Sequence, residues 1–394
     1  MSLVDLVQLS SDPAHAGFYA PHFELRIAGE SAPESVIRDI VQITYKDNIK
    51  EIDSVDITLN NWDPDTNSYR YIGSETLKDL PGTGASNTLA ALFEPRVARF
   101  EVRLGYVDAL SLVSTVTITS MEPSFSTAGP ASLQVRGLNE LHQFRRKQHT
   151  DAWFGEKPSA IAKKVGARRL PIKLETLDPP PEEHPIPFVA QDNQHDIDFL
   201  LLLARKVNYD LSLVPATKSK PVHLLFAPST RIIPKQDIRL DWRESLIDFK
   251  PRLTTANQVA KVTVQGWDRA RKKPIKVTVD LKDKQAQRIN PDLHRLVDNA
   301  DVREEIVVND AVFTEADARQ RARAILADRL KQMVTAEGST VGLPELRAGS
   351  IVEIGGVGAR LSGRYFVEET THSLSDAGYV TKFKARREST RSGS

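Results

Sequence analysis

With 394 residues, 40% of them hydrophobic and 27% charged, the chain has the make-up of a globular protein with room for about two to four domains. Lys and Arg number 53 against 52 Asp and Glu, so there is no overall electrostatic footprint for nucleic acid, and the absence of cysteine excludes disulfides, thiolate chemistry and Cys-ligated zinc. No apolar run of about 18 residues marks a membrane span, and the opening MSLVDLVQLSS lacks the basic start and apolar core of a signal peptide.

Residues 1–17, with Pro13 and Gly17, read as an N-terminal arm. From Phe23 the pattern turns to period two. Phe23, Leu25 and Ile27 alternate with polar residues, then Ile43 and Tyr45, then Val55, Ile57 and Leu59, which predicts three strands. Residues 60–65 are turn-rich, and residues 73–92, containing PGTGASN, read as a long inserted loop. Strands return at Phe100, Val102 and Leu104, closed by Gly105 and Tyr106, then at Val116 and Ile118, then at Leu133 and Val135 before Gly137. Residues 18–138 are expected to form an antiparallel β-barrel or sandwich.

The texture changes after Asn139. Residues 141–147 are a short basic segment, and Lys157-Pro158-Ser159 introduces a short helix carrying Ile161 and Val165. The consecutive prolines within 178–185 force an extended run. The strongest local signal is 188–214, FVAQDNQHDIDFLLLLARKVNYDLSLV. Ile197, Leu200, Leu201, Ala204 and Val207 fall on one helical stripe, and Phe199, Leu202 and Leu203 widen it, predicting a helix buried around most of its circumference. Asp196 suits its N-cap and Asn208 a left-handed stop. Leu211, Leu213, Val222, Leu224 and Phe226 read as strands. Residues 139–240 are expected to be an α+β insertion domain.

β-structure resumes over 247–251, at Val262 and Val264 before Gly266 and Trp267, and at Ile275, Val277, Val279 and Leu281, which alternate with polar residues. A long helix near 314–333 follows, with Thr314 as N-cap, Asp317 three residues on, and Ala318, Ala322, Ile325 and Leu326 as its packed face. The last strands lie around Val352 and Ile354, Tyr365 and Val367, and 380–383. Residues 241–387 are expected to be a second β domain, and 388–394 a basic tail. Gly105 and Gly129 punctuate a rising and returning pair of strands in the first domain. Gly355 and Gly378 do the same in the second, a weak internal repeat.

Reactive chemistry is not evident. The nine histidines are scattered, with no HExxH or compact metal-ligand spacing. His372, in a strand, reads as structural with a backbone partner. Gly355-Gly356-Val357-Gly358 has no helix after it and reads as a hairpin loop rather than a phosphate cradle. Asp178, Glu182 and Glu183 read as a solvated loop. Arg145-Arg146-Lys147 and Lys384, Arg386, Arg387 and Arg391 read as solvated or interface cations. No catalytic, cofactor or metal site is expected.

Gln191, then residues 195–204, then Tyr209, resemble a segment of the phage late-control protein D family, with His195 where that family often has Ser and Asn208 where it often has Gly. Further matches follow in the family's order: Gly105-Tyr106, residues 264–268 including Gly266 and Trp267, and residues 343–349 ending at Gly349. Gly363-Arg364-Tyr365-Phe366-Val367, Thr371-His372 and Gly378-Tyr379-Val380-Thr381 complete them. The structural motif residues are therefore Gly105, Tyr106, Gly129, Leu200, Leu201, Gly266, Trp267, Gly349, Gly363, Tyr365, His372, Gly378 and Tyr379. The resemblance implies a mainly β chain with an α+β insertion: two tube-protein-like antiparallel β-barrel domains plus a small α+β domain. It implies a homotrimeric baseplate hub of a contractile phage tail or related injection system, assembled in the bacterial cytoplasm. Such a hub joins the six-fold inner tube, or a tube-initiator protein, to a three-fold spike. With no spike segment before Ser394, a separate spike protein is expected, with tape-measure and wedge proteins as further partners. A tail-associated cell-wall hydrolase and a monomeric carbohydrate- or receptor-binding protein are the competing classes. The hub reading expects two β regions of one topology lying side by side.

Overall fold

A computed structural model describes residues 20–27, 29–72, 92–95, 99–107, 109–127, 129–168, 173–176, 183–214, 221–229, 238–256, 258–283, 303–308 and 311–389. The arm, most of the 73–92 loop, residues 178–182 and the tail beyond Ser389 lie outside these. The chain is mainly β with an α+β insertion.

The first β unit contains β1 (Pro21–Ile27), β2 (Glu30–Ser31), α1 (Glu34–Asp39), β3 (Ile40–Asn48), β4 (Ser54–Asn60), the small β5 (Trp62–Asp63) and β6 (Ser68–Tyr69), β7 (Arg99–Tyr106), β8 (Ala109–Ser124) and β9 (Ser132–Asn139). Its main strands run in the order β3-β4-β9-β8-β7-β1. The alternation read from sequence is the alternation of burial. Ile43, Tyr45, Val55, Ile57, Leu59, Phe100, Val102, Leu133 and Val135 all enter one core.

The insertion opens with a 3-10 turn (Glu140–Arg145), where a basic segment was read. It continues with β10 (Gln148–Glu156), α2 (Pro158–Gly166), β11 (Lys173–Thr176), β12 (Ile186–His195), α3 (Asp196–Lys206), β13 (Asp210–Val214) and β14 (His223–Ala227). β10 pairs with β12, and β11 and β13 flank β14. Ile161 and Val165 of α2 meet Ile197, Phe199, Leu200 and Leu203 of α3 in a separate core, where Trp153 stacks on Phe199 at 5.0 Å.

The structure corrects two expectations for α3. Leu202 is 47% exposed and Leu201 only half-buried, so the helix has a wet side. Asp196 is its first helical residue rather than its cap; its buried carboxylate accepts from Arg168 at 2.9 Å and Gln191 at 3.0 Å. The buried hydrogen bonds to Arg168 and Gln191 thus outweigh capping geometry. Asn208 does take the left-handed conformation, with φ +59°.

The second β unit contains β15 (Ile238–Asp241), β16 (Leu246–Leu253), β17 (Lys261–Asp268), β18 (Lys273–Asp280), β19 (Glu304–Val307), α4 (Glu315–Lys331), β20 (Val334–Val341), β21 (Ile351–Gly355), β22 (Gly363–Ser375) and β23 (Gly378–Ser389). The Thr314 hydroxyl accepts from the Asp317 N–H at 3.1 Å, capping α4. α4 packs on β17 and β18, and Ala318, Ala322 and Leu326 join the core beneath the main sheet. That main sheet runs β16-β20-β23-β22-β21-β15.

Numbered within each unit, the strand order is the same: second, third, sixth, fifth, fourth, first. The β-bulges repeat as well. β3 bulges against β4 between Ile40 and Gln42, and β16 against β20 between Leu246 and Asp248. β8 bulges against β9 between Ile118 and Ser120, and β22 against β23 between Val367 and Glu369. One difference stands out: β1 pairs with β7 antiparallel, whereas β15 pairs with β21 parallel. The repeat read from glycine punctuation is therefore a repeat of topology. The glycines are not its register marks, because Gly355 falls level with Arg103 rather than Gly105 when the two fourth strands are aligned on their ladders with the fifth.

Candidate functional site

One strand serves both units. The first residues of β22, Gly363 to Phe366, pair with β21, while its later residues, Glu369 to Ser375, pair antiparallel with β3. β23 runs along the other side of β22. The two β units are thereby joined edge to edge into one sheet.

Beneath this junction lies a buried charged cluster. Period two places Asp47 in phase with Ile43 and Tyr45 on the inward face of β3, where an unpaired carboxylate would be costly. Arg347, from the loop before β21, answers it at 2.6 Å, lies over the Tyr45 ring at 4.8 Å and bonds the Tyr45 hydroxyl. The Ala348 N–H adds a 3.1 Å bond to Asp47. Burial works against the Arg347 charge, but Tyr45 and Asp47 overcome it and hold the guanidinium more firmly protonated. Asp53, in the β3–β4 turn, accepts from Asn139 at 2.7 Å, and burial followed by the nearby Asp47 pushes its carboxyl up to about 8.

His372 lies opposite Tyr45 in the ladder and is fully buried. Its Nε2 donates to the Leu346 carbonyl at 3.1 Å, and its Nδ1 accepts from the Tyr379 hydroxyl at 3.0 Å. Burial, then the Arg347 charge, lowers its pKa to about 3, so the ring is neutral. A neutral, fully engaged imidazole is a fixed strut at the junction. Tyr106 donates to the Gly342 carbonyl at 2.9 Å, and the Gly342 N–H returns a 2.9 Å bond to Tyr379. The Tyr379 ring covers Gly342 so closely that any Cβ there would overlap it.

The junction thus gathers Tyr106, His372 and Tyr379 from the expected motif residues, with Gly349 just beside it, where its N–H donates to the Val367 carbonyl at 2.8 Å. Gly105 holds φ +157° at the tight β7–β8 turn, against Ala109. Gly129 and Gly378 lie in or beside hairpin turns. Tyr365 is buried in the second core, its hydroxyl donating to Leu361 at 2.6 Å, and Gly363 begins β22. Leu200 and Leu201 belong to the insertion core, and Gly266 packs against Val312. Trp267 is 52% exposed, away from the junction. Sequence reading missed Asp47, Asp53 and Gly342, and took Arg347 only as part of the 343–349 stretch, with no role of its own. The signal for Asp47 was present, as a carboxylate at an apolar phase of a strand.

A cleft of about 620 Å³ opens where α3, α4 and the second unit meet. Lys50, Asp210 and Arg386 of its lining belong to a chain of ion pairs: Lys50 to Glu368 at 3.3 Å, Arg386 to Glu368 at 2.7 Å and Arg386 to Asp210 at 2.9 Å. Lys331 joins Asn208 at 3.1 Å and Ser229 at 3.0 Å. Burial would raise the Asp210 pKa, but Arg386 and then Lys331 hold it low. This network ties the insertion to both β units. Glu183 is likewise structural, accepting from the Ser159 hydroxyl at 2.6 Å. No group of His, Asp and Glu suited to a metal ion occurs among the described residues, and none of their helices is long and apolar enough to cross a membrane.

The sheet's outer face is polar along its length, with Asp248, Lys250, Glu337, Lys382 and Lys384 in the second unit and Lys46, Gln134 and Arg136 in the first. Among the open edges of the described residues, besides β15 and β2, are two that matter here. β16 pairs only with β20, and β8 beyond Thr117 pairs only with β9.

Known proteins share this architecture. The 43 kDa tail protein of prophage MuSo2 from Shewanella oneidensis superposes with a TM-score of 0.63 at 14% identity, covering 94% of this chain and 99% of that one. The tail protein from Neisseria meningitidis MC58 gives 0.63 at 14% identity, covering 93% and 97%. A component of the E. coli type VI secretion system gives 0.55 at 13% identity, covering 94% and 78%. At these identities the likeness is one of fold, and the fold is that of phage-tail proteins. No curated protein matches the chain. A family model described as the Alg8 N-terminal domain matches residues 20–376, a different description from the family the motifs resemble. The chain therefore belongs to the Alg8 N-terminal domain family.

Proposed function

We propose that this chain is a structural hub of a contractile phage tail or a phage-derived injection system. Three copies close into a ring of six similar β units, which adapts a six-fold inner tube to a three-fold spike. The carrying observation is that two units of one strand order are already joined edge to edge, through β22 and β3. A junction made once within the chain is a junction that neighbouring chains can repeat, and closed rotational symmetry ends the series. The same fold in two phage-tail proteins, and in a type VI secretion component described as similar to T4 tail proteins, supports the setting.

In this reading residues 18–138 and 241–387 are the ring-forming domains, and 139–240 is the insertion domain, held by the Lys50, Glu368, Arg386, Asp210 network. The partners are a second and third copy of the chain, an inner tube or tube-initiator protein, and a separate spike protein. Tape-measure and wedge proteins complete the surroundings. The role is geometric, not catalytic: His372 is consumed by its own hydrogen bonds. Light scattering of the purified full chain checks it. Three times the chain mass, with three-fold rings in electron micrographs, is the expected result. A monomer at tens of micromolar would sink the hub.

A further inference from the structure

Inside the chain, the fifth strand of one unit meets the second strand of the other. In the ladder Glu369 faces Asn48, Thr370 faces Asp47, Thr371 faces Lys46, His372 faces Tyr45 and Ser373 faces Thr44. The shared bulges give residue-by-residue equivalents. Counting from them, Ser120 to Ser124 of β8 stand where Glu369 to Ser373 stand, and 250–254 stand where 44–48 stand. These two stretches, the end of β8 and the end of β16, are open edges among the described residues, and they are the two that stand where the internal junction has its strands.

We propose that β8 of one copy pairs antiparallel with β16 of the next, in the register of the internal junction. Glu122 then faces Arg252, Met121 faces Leu253, Ser124 faces Lys250 and, one step further, Phe125 faces Phe249. The inference rests on the hub reading and assigns the surface through which its copies meet.

The residues fit this register on both faces of the sheet. On the polar face Glu122 and Arg252, both exposed, form a cross-strand pair of opposite charge. On the core face Met121 already packs against the first core, and Phe249 and Leu253 against the second, so the seam would connect the two. Phe125, 60% exposed in the single chain with the Tyr69 ring edge-on at 5.3 Å, gains a second aromatic partner. Its equivalent, Leu374, is buried at the internal junction.

Pro123 falls opposite Pro251. Proline has no N–H, so in a paired strand its nitrogen faces the open edge. This pair leaves a gap in the ladder, but it strands no donor. A register slipped by two residues would set each prolyl ring against a separate carbonyl, so that two ladder positions rather than one would lack an N–H donor. The prolines therefore discourage other edge pairings while marking this one.

The test uses the full chain, whose lack of cysteine gives a clean background. Glu122→Cys with Arg252→Cys should oxidise to a covalently closed trimer on a non-reducing gel. Glu122→Cys with Lys250→Cys, two residues out of register, should not. Charge reversal gives an independent readout. Glu122→Lys and Arg252→Glu should each raise the concentration for half-assembly by several-fold, and the double reversal should restore it. Trimers that fail to cross-link at 122–252 and ignore the charge swap would overturn the seam while leaving the hub intact. A wild-type chain that stays monomeric would overturn the hub, and the seam with it.

Discussion

Arg347 and Asp47 show what the junction asks of single residues. Neither would survive alone in that position, since breaking a buried ion pair leaves a charge without water or partner. Arg347→Ala should cost about 3–5 kcal/mol in chemical denaturation. Asp53 and His372 shape the pH dependence. Asp53, raised to about 8, keeps a proton in the folded state that the unfolded chain has released, so its contribution is present below its unfolded pKa and is lost as pH rises through about 8. His372, lowered to about 3, acts the other way: its contribution is present above its unfolded pKa and is lost as pH falls toward about 3. The two oppose one another between about 4 and 6.5, and Asp53 alone acts from there to about 8. Stability should therefore fall between pH 6.5 and 8. Asp53→Asn, a neutral carboxamide in place of a protonated carboxyl, should flatten that slope with little loss of stability at pH 6.5.

At the level of elements, α3 offers a sharp contrast along one helix. Leu200→Ala, in the insertion core, should cost about 2–5 kcal/mol, whereas Leu202→Ala, on the wet side, should cost under about 1 kcal/mol. Equal losses in thermal melts would mean that the helix is enclosed on all sides. The strands were legible because burial follows period two, and α4 was legible from Thr314, Asp317 and its alanines. The β10–β12 pair was not read, because its burial is irregular: β10 has one buried residue, Trp153, in nine. β15 and β19 were missed as well, each four residues long. The His372 partner Tyr379 lies on the next strand, but Tyr45 and Arg347, which complete the cluster, lie elsewhere in the chain, and no local pattern announces them. Asp47 alone gave a local hint, by sitting in the apolar phase of β3.

For the whole molecule, sequence reading reached a mainly β chain with an α+β insertion and a duplicated strand pattern. It could not supply the edge pairing of the two units, because residues some three hundred positions apart meet there. The polar sheet face and the open edges bear on assembly. If the seam carries the Glu122–Arg252 pair, its salt sensitivity should be modest, since exposed pairs contribute about 0–1 kcal/mol. Trimers should accordingly persist in 0.5 M NaCl (a test concentration on the order of a Debye length of about 4 Å). Dissociation by salt alone would mean that the apolar Met121, Phe125, Phe249 and Leu253 contribute little.

The strand β22, shared by both units, also bears on the fidelity of counting. A ring built from separate single units errs by one, gaining or losing a member through a small change in the angle at each contact. In the proposed hub, units come tied in pairs, so its ring could only err by two. The nearest wrong rings hold four or eight units, with turns of about 90° or 45° in place of about 60°. Each is a large distortion of a ladder whose register is pinned by bulges. Tying two units on one strand would then make six the only number within easy reach.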